Sequence, residues 1–156
     1  MTITSAICNS FKQEILVGTH NFTASSGNTF KIALYSSNSA TLSKSTTAYT
    51  APSDGTADPT NTYEVTSTSS GYTTGGNSLT SVTPVLSGDT ACCKFSDTSW
   101  GSTASFTARG CLIYNSSASN KAVCAINFGS DKTVTSGTFT IQFPAQTAGN
   151  AIIQIA

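Results

Sequence analysis

The sequence predicts an all-β domain, an antiparallel β-sandwich of jelly-roll-like or Ig-like type, with one short N-terminal α-helix. Two observations predict this fold class. Before residue 20, apolar residues recur with the period of a helix. After it, short runs of alternating apolar residues are separated by turn-forming residues, as in sandwiches and barrels. The 156 residues fit one domain, with a helical segment at 1–20 and a sandwich at 21–156.

The helix is predicted over residues 5–17. Ile7, Phe11 and Ile15 are spaced four residues apart and form an apolar stripe. Because a helix this short is marginal alone, we expect it to dock on its own sandwich or on a neighbouring subunit. These three residues are therefore candidate interface residues. Thr4 or Ser5 is expected to cap the start of the helix, and Gly18 is expected to end it in a left-handed turn.

Seven later runs are predicted to be strands. In the first of them, Phe30, Ile32 and Leu34 alternate with other residues, which is the pattern of a half-buried strand. The threonine content also suits strand surfaces, because a β-branched side chain favours extended backbone. The predicted strands are residues 29–35, 78–86, 90–95, 102–114, 121–128, 138–143 and 151–155.

Residues 36–76 are predicted to form a long exposed loop, because the segment has no apolar periodicity and contains several turn residues. Its few bulky anchors are Tyr49, Tyr63, Val65 and Tyr72. A loop of this length in a compact domain usually has a function. We expect it to provide an interaction surface, and its tyrosines are candidate interface residues.

Trp100 allows two interpretations, and it completes the set of candidate interface residues. It lies between two predicted strands. In the first interpretation its ring closes one end of the sandwich core. In the second it is an exposed platform for stacking against a sugar, as in lectin-like domains.

The residue inventory predicts no catalytic, cofactor-binding or metal-binding site, and hence no enzyme. The one histidine, His20, is interpreted as an ordinary turn residue, and no Gly-x-Ser-x-Gly motif is present. The five cysteines include no Cys-x-x-Cys pair, so a zinc site is not expected. They are interpreted as free thiols, with a disulfide between neighbouring strands as the alternative. Only seven acids are present, and four of them, Asp54, Asp58, Asp89 and Asp131, fall in turn contexts, where aspartate is common.

Charge and hydropathy exclude further classes. Seven basic and seven acidic residues give a net charge of zero, whereas a nucleic-acid-binding protein needs a basic surface. No apolar run is long enough for a membrane helix. The first residues lack the features of a signal peptide, so we expect a protein made inside a cell. Serine and threonine account for 52 residues, which predicts a neutral, hydroxyl-rich surface.

Six runs together resemble a family of small virion structural proteins encoded by tailed bacteriophages, mainly of marine and aquatic origin. The resemblance spans nearly the whole chain. It implies assembly in the host cytoplasm, location in the virion, and binding to other virion proteins. The matching runs are residues 7–22, 29–35, 71–76, 108–115, 139–144 and 151–156.

The expected function is therefore structural. In the first hypothesis, the chain decorates or cements the capsid, or forms a head fibre, by binding the major capsid protein in many copies. A homo-oligomer is expected, and a trimer would suit local threefold positions. The alternative is an adaptor or fibre-attachment protein of the tail, neck or baseplate. A third hypothesis is a carbohydrate-binding module that uses Trp100 and the loop tyrosines.

Overall fold

The computed structural model describes residues 2–36, 40–50, 63–67 and 71–156. Within these residues, the chain forms eight strands and one α-helix. In chain order they are β1 (Ala6–Ile7), α1 (Asn9–Leu16), β2 (Phe30–Tyr35), β3 (Asn77–Leu79), β4 (Ser81–Ser87), β5 (Thr90–Phe95), β6 (Thr98–Asn115), β7 (Lys121–Ile141) and β8 (Ile153–Ile155).

The strands form two antiparallel sheets. The larger sheet has the order β1-β7-β6-β2-β3, and the smaller has the order β4-β5-β8. Aromatic side chains pack between them: the rings of Phe30 on β2 and Phe95 on β5 lie 5.5 Å apart. Phe22 stacks on Phe30 at 4.3 Å, and Phe143 contacts Phe95 at 5.6 Å. The predicted all-β sandwich with one short helix is confirmed.

Strands β6 and β7 form a long hairpin whose pairing is interrupted by several register shifts. The prediction of two separate strands, at 121–128 and 138–143, was wrong, because β7 continues through both. The predicted turn at 129–132 falls where β7 carries extra residues opposite β6, with Gly129 at φ +79°. A bulge of this kind absorbs turn-forming residues while the pairing resumes beyond it.

The predicted strand at 78–86 is two strands that belong to different sheets. Strand β3 pairs with β2 in the larger sheet, and β4 pairs with β5 in the smaller one. The chain changes sheet at Thr80, whose carbonyl accepts a hydrogen bond from the Ser96 N–H at 2.9 Å. Pro84 lies on β4 inside a register shift. Since β4 is an edge strand, the missing N–H of proline is tolerated there.

The helix begins four residues later than predicted, at Asn9. Ala6 and Ile7 form β1 and pair with β7 instead. Cys8 precedes the first helical residue and makes no side-chain capping bond, so the expected capping by Thr4 or Ser5 was wrong. The Ser5 hydroxyl oxygen instead accepts a hydrogen bond from the Asn127 N–H at 2.9 Å. Pairing with β7 therefore overrides the helical period at this end.

The other end of the helix agrees with the prediction. Gly18 has φ +74°, the left-handed conformation that favours glycine after a helix. Its N–H donates to the Ile15 carbonyl, and the N–H of Thr19 donates to that of Glu14 at 2.9 Å.

The described parts of the predicted loop at 36–76 are not simply exposed. Tyr49, Val65 and Tyr72 are buried in the hydrophobic core. Glu64 forms an isolated antiparallel bridge with Tyr35 at the end of β2, which holds this segment beside the larger sheet. The remaining parts of the predicted loop, at 37–39, 51–62 and 68–70, lie outside the described residues.

Candidate functional site

The seven candidate interface residues do not form one exposed surface. The four buried residues are no more than 6% exposed, and their side chains belong to the core. Tyr49, Tyr72 and Trp100 therefore offer almost no side-chain surface to a partner, whereas Phe11 lines the cleft described below. The buried residues are Phe11, Tyr49, Tyr72 and Trp100, and the half-buried ones are Ile7, Ile15 and Tyr63.

Trp100 belongs to an aromatic cluster under the β6–β7 hairpin. Its ring lies 6.0 Å from that of Tyr72, 6.2 Å from Phe106 and 5.8 Å from Phe139. The side chain is only 3% exposed, so no face of the indole is open to a sugar. The interpretation of Trp100 as a core residue is confirmed, and Trp100 does not provide a sugar-stacking platform.

A buried carboxylate, Glu64, fixes the loop segment to the larger sheet. Its Oε1 accepts hydrogen bonds from the Tyr72 hydroxyl at 2.7 Å and the Gly75 N–H at 2.6 Å. Its Oε2 accepts one from the Tyr49 hydroxyl at 2.9 Å. The Tyr72 oxygen in turn accepts from the Leu34 N–H at 3.0 Å. The carboxylate therefore joins three parts of the chain through hydrogen bonds.

Burial raises the pKa of Glu64 above its ordinary value, although hydrogen bonds from Tyr72, Gly75 and Tyr49 oppose the shift. Because both carboxylate oxygens are already occupied by donors of the chain, this site is a structural clamp. Sequence analysis missed Glu64. The available signal was an acid flanked by two bulky residues, Tyr63 and Val65, in an otherwise polar segment.

His20 lies in a second buried network. The Asn115 amide is oriented by its neighbours, since Oδ1 accepts from the Ser117 N–H and Nδ2 donates to Asn28 Oδ1. The same Nδ2 lies 3.0 Å from His20 Nδ1, which must therefore accept. The proton of the neutral ring is then on Nε2, which donates to Glu14 Oε2 at 2.9 Å.

His20 is only 5% exposed. It is therefore a buried residue and not an ordinary turn residue. Its ring packs against Phe11 with centroids 4.8 Å apart. Glu14 also accepts a hydrogen bond from Lys121 Nζ at 2.6 Å. Burial alone would raise the pKa of Glu14, but the bonds from Lys121 and His20 outweigh it and lower the pKa below its ordinary value. The network joins α1 to the start of β7.

All five cysteines are free and buried, which confirms the interpretation as free thiols. Burial raises the pKa of Cys8 to about 11, with a contribution from Glu14, and that of Cys93 to about 12. Thiolates are therefore disfavoured at both positions. Within the described ranges, no three His, Cys, Asp or Glu side chains are grouped so that they could hold a metal ion.

An exposed apolar surface lies where α1 ends beside the smaller sheet. We call it the helix-end surface. Leu86, Ala91 and Ile155 are register neighbours across β4, β5 and β8, and Leu16 lines a cleft of about 260 Å³ together with Ile155. Exposure is 85% for Leu16, 71% for Val17, 74% for Leu86 and 57% for Ile155.

This surface contains part of the predicted interface. Ile7, Phe11 and Ile15 line the floor of the same cleft, so the structure brings the three helix candidates together. Sequence analysis missed the four exposed residues. Burying them in an interface would contribute roughly 4–9 kcal/mol before the entropic costs of association. The helix-end surface is therefore the candidate functional site.

The described part of the chain contains no helix long and apolar enough to cross a membrane. No protein-family model, curated protein or solved structure matches this chain.

Proposed function

We propose that this chain is a non-enzymatic structural protein of a bacteriophage particle, where many copies bind the capsid shell as decoration, cement or head-fibre subunits. The helix-end surface carries the proposal. Leu16, the last residue of α1, lines the cleft together with Ile155, and Leu16, Val17 and Ile155 are all exposed. Exposed apolar residues in such a group are typical of sites that bind proteins.

The charge of the chain supports the same function. With 14 charged residues and a net charge of zero, the surface offers few ionic contacts to a partner. Apolar contact at the helix-end surface is then the main means of attachment, and the many serine and threonine hydroxyls of the chain can add hydrogen bonds through water. The resemblance of the sequence to small virion proteins of tailed phages is the reason why we propose a bacteriophage particle as the partner.

A decoration subunit stabilises a shell by contacting two neighbouring capsid subunits at once. Each bound copy then adds buried area across a joint that the pressure of packaged DNA strains. Copies of the chain that associate as a trimer would match local threefold positions, where three equivalent joints meet.

The number of copies per particle tests the proposal. We expect hundreds of copies in purified virions, measured by quantitative mass spectrometry against the major capsid protein. A few to a dozen copies, or density at one vertex only, would contradict a role on the shell. Such a result would instead support the alternative, an adaptor or fibre-attachment protein of the tail, neck or baseplate.

Variants test whether the helix-end surface is the binding site. Virions that lack the protein would be incubated with purified Leu16→Asp, and the bound fraction compared with that of the unchanged protein. Val85→Asp is the matched control, because Val85 is 48% exposed but lies outside the cleft. We expect Leu16→Asp to abolish binding and Val85→Asp to preserve it; equal binding by both would overturn the assignment.

A further inference from the structure

A second apolar recess lies along β7 and shares no lining residue with the cleft of the helix-end surface. Residues from both halves of β7 line it, including Ile126 and Phe128 from the first half and Phe139 and Ile141 from the second. The pairing of β7 with β6 shifts register between these two halves, and such irregularities bend strands. We call this recess the hairpin groove; its volume is about 490 Å³.

The lining of the hairpin groove is mainly apolar. Ile126, Phe128, Phe139, Ile141 and Ile152 are partly buried side chains that pack on the core with one side and face the groove with the other. Recesses of roughly 300–1,000 Å³ with such linings are typical of sites for small molecules. A ligand for this groove therefore has an apolar body.

The rim of the groove carries one positive charge. Lys132 is the charged residue among those that line it. Its ammonium group donates to the Ser130 hydroxyl at 3.0 Å, and no carboxylate of the described residues lies within ion-pair distance of it. The neighbouring Asp131 is instead 3.5 Å from Arg109. An anionic group at the rim would therefore complement the charge of Lys132.

We propose that the hairpin groove binds an amphiphilic carboxylate, such as a medium-chain fatty acid, with its alkyl chain along the isoleucine and phenylalanine side chains and its carboxylate beside Lys132. The combination of an apolar recess and one uncompensated cation at its rim selects this class over neutral or cationic amphiphiles. The proposal is independent of the function on the virion, because it concerns a different surface.

The test uses the whole chain and sodium octanoate and decanoate below their micelle concentrations. Isothermal titration calorimetry is expected to show saturable 1:1 binding, with the dissociation constant falling by up to about fourfold per added methylene. Lys132→Gln is expected to weaken decanoate binding roughly two- to fivefold. Lys44→Gln is the matched control, because Lys44 is exposed and is not among the residues that line the groove.

Isoleucine-methyl NMR locates the ligand. The methyl signals of Ile126, Ile141 and Ile152 are expected to shift on titration, whereas that of Ile155 at the helix-end surface stays unchanged. The proposal is overturned by an absence of saturable binding, or by shifts confined to the helix-end surface. It is equally overturned if decanol binds as tightly as decanoate, or if Lys132→Gln and Lys44→Gln have the same effect.

Discussion

Glu64 shows how one residue can organise a segment that has little regular structure. Its carboxylate accepts three hydrogen bonds, from the Tyr49 and Tyr72 hydroxyls and from the Gly75 N–H. A buried polar group that loses its hydrogen-bond partner lowers the stability of the fold. Removing Glu64 would leave its donors without this acceptor, and removing the donors would leave the buried carboxylate without them. Sequence patterns cannot show such a clamp, because its donors lie 15, 8 and 11 residues from Glu64, with no regular spacing, and are brought together by the fold.

Replacing Glu64 tests the clamp. We expect Glu64→Ala to lower the free energy of unfolding by roughly 3 kcal/mol, since three buried donors lose their acceptor. Glu64→Gln keeps one acceptor oxygen and is expected to cost less. Because both variants remove the charge, the difference between them in urea unfolding reports the hydrogen bonds together with the buried side-chain volume that alanine removes. Equal losses in the two variants would show that the hydrogen bonds contribute little.

The lowered pKa of Glu14 predicts how the free energy of unfolding depends on pH. Its pKa is lowered in the folded chain, so its network contributes stability above the ordinary value of 4.5, and that stability is lost as the pH falls through the lowered pKa. The advantage of the unchanged protein over Glu14→Gln is therefore expected to shrink as the pH falls from 6 to 3. Urea unfolding at several pH values measures it. A constant difference across this range would contradict the network.

At the scale of elements, local patterns predicted the existence of strands better than their connections. The alternation in residues 29–35 predicted β2 almost to the residue, and 90–95 coincides with β5. The run at 78–86 looks continuous, yet the chain changes sheet at Thr80, which depends on the partners of each half. Residues 129–132 have the composition of a turn, and only pairing with β6 makes them part of β7.

Gly76 and Gly18 allow the energetic cost of a steric overlap to be distinguished from the cost of a strained backbone, because the two have similar φ angles. Gly76 and Gly18 have φ of +71° and +74°, but a Cβ at Gly76 would overlap the Ile32 carbonyl, whereas one at Gly18 meets nothing within 4 Å. Gly76→Ala is expected to lower the free energy of unfolding by roughly 3 kcal/mol or more, and Gly18→Ala by about 1 kcal/mol. Thermal unfolding measures both. Similar losses would mean that β2 moves away from the loop at little cost.

At the scale of the whole molecule, the candidate site was predicted only in part. The helical period indicated Ile7, Phe11 and Ile15, which lie in the floor of the cleft. The exposed residues Leu16 and Ile155 follow from where α1 and the smaller sheet end relative to each other, which no local pattern contains. The neutral composition, in contrast, is a property of the entire chain and could be predicted from the sequence.

That neutrality leads to a prediction about the particle binding that we propose for the chain. Ionic contacts weaken as salt screens them, whereas apolar contacts do not weaken and are strengthened by sulfate. The exposed residues of the helix-end surface are mainly apolar, with Lys12 the one charged residue among those that line its cleft, and the net charge of the chain is zero. We therefore expect the fraction bound to purified virions to change less than about twofold between 50 and 500 mM sodium chloride, and to rise in ammonium sulfate. Cosedimentation measures it. Release by 500 mM sodium chloride would mean that the few charged residues, and not the helix-end surface, hold the chain on the particle.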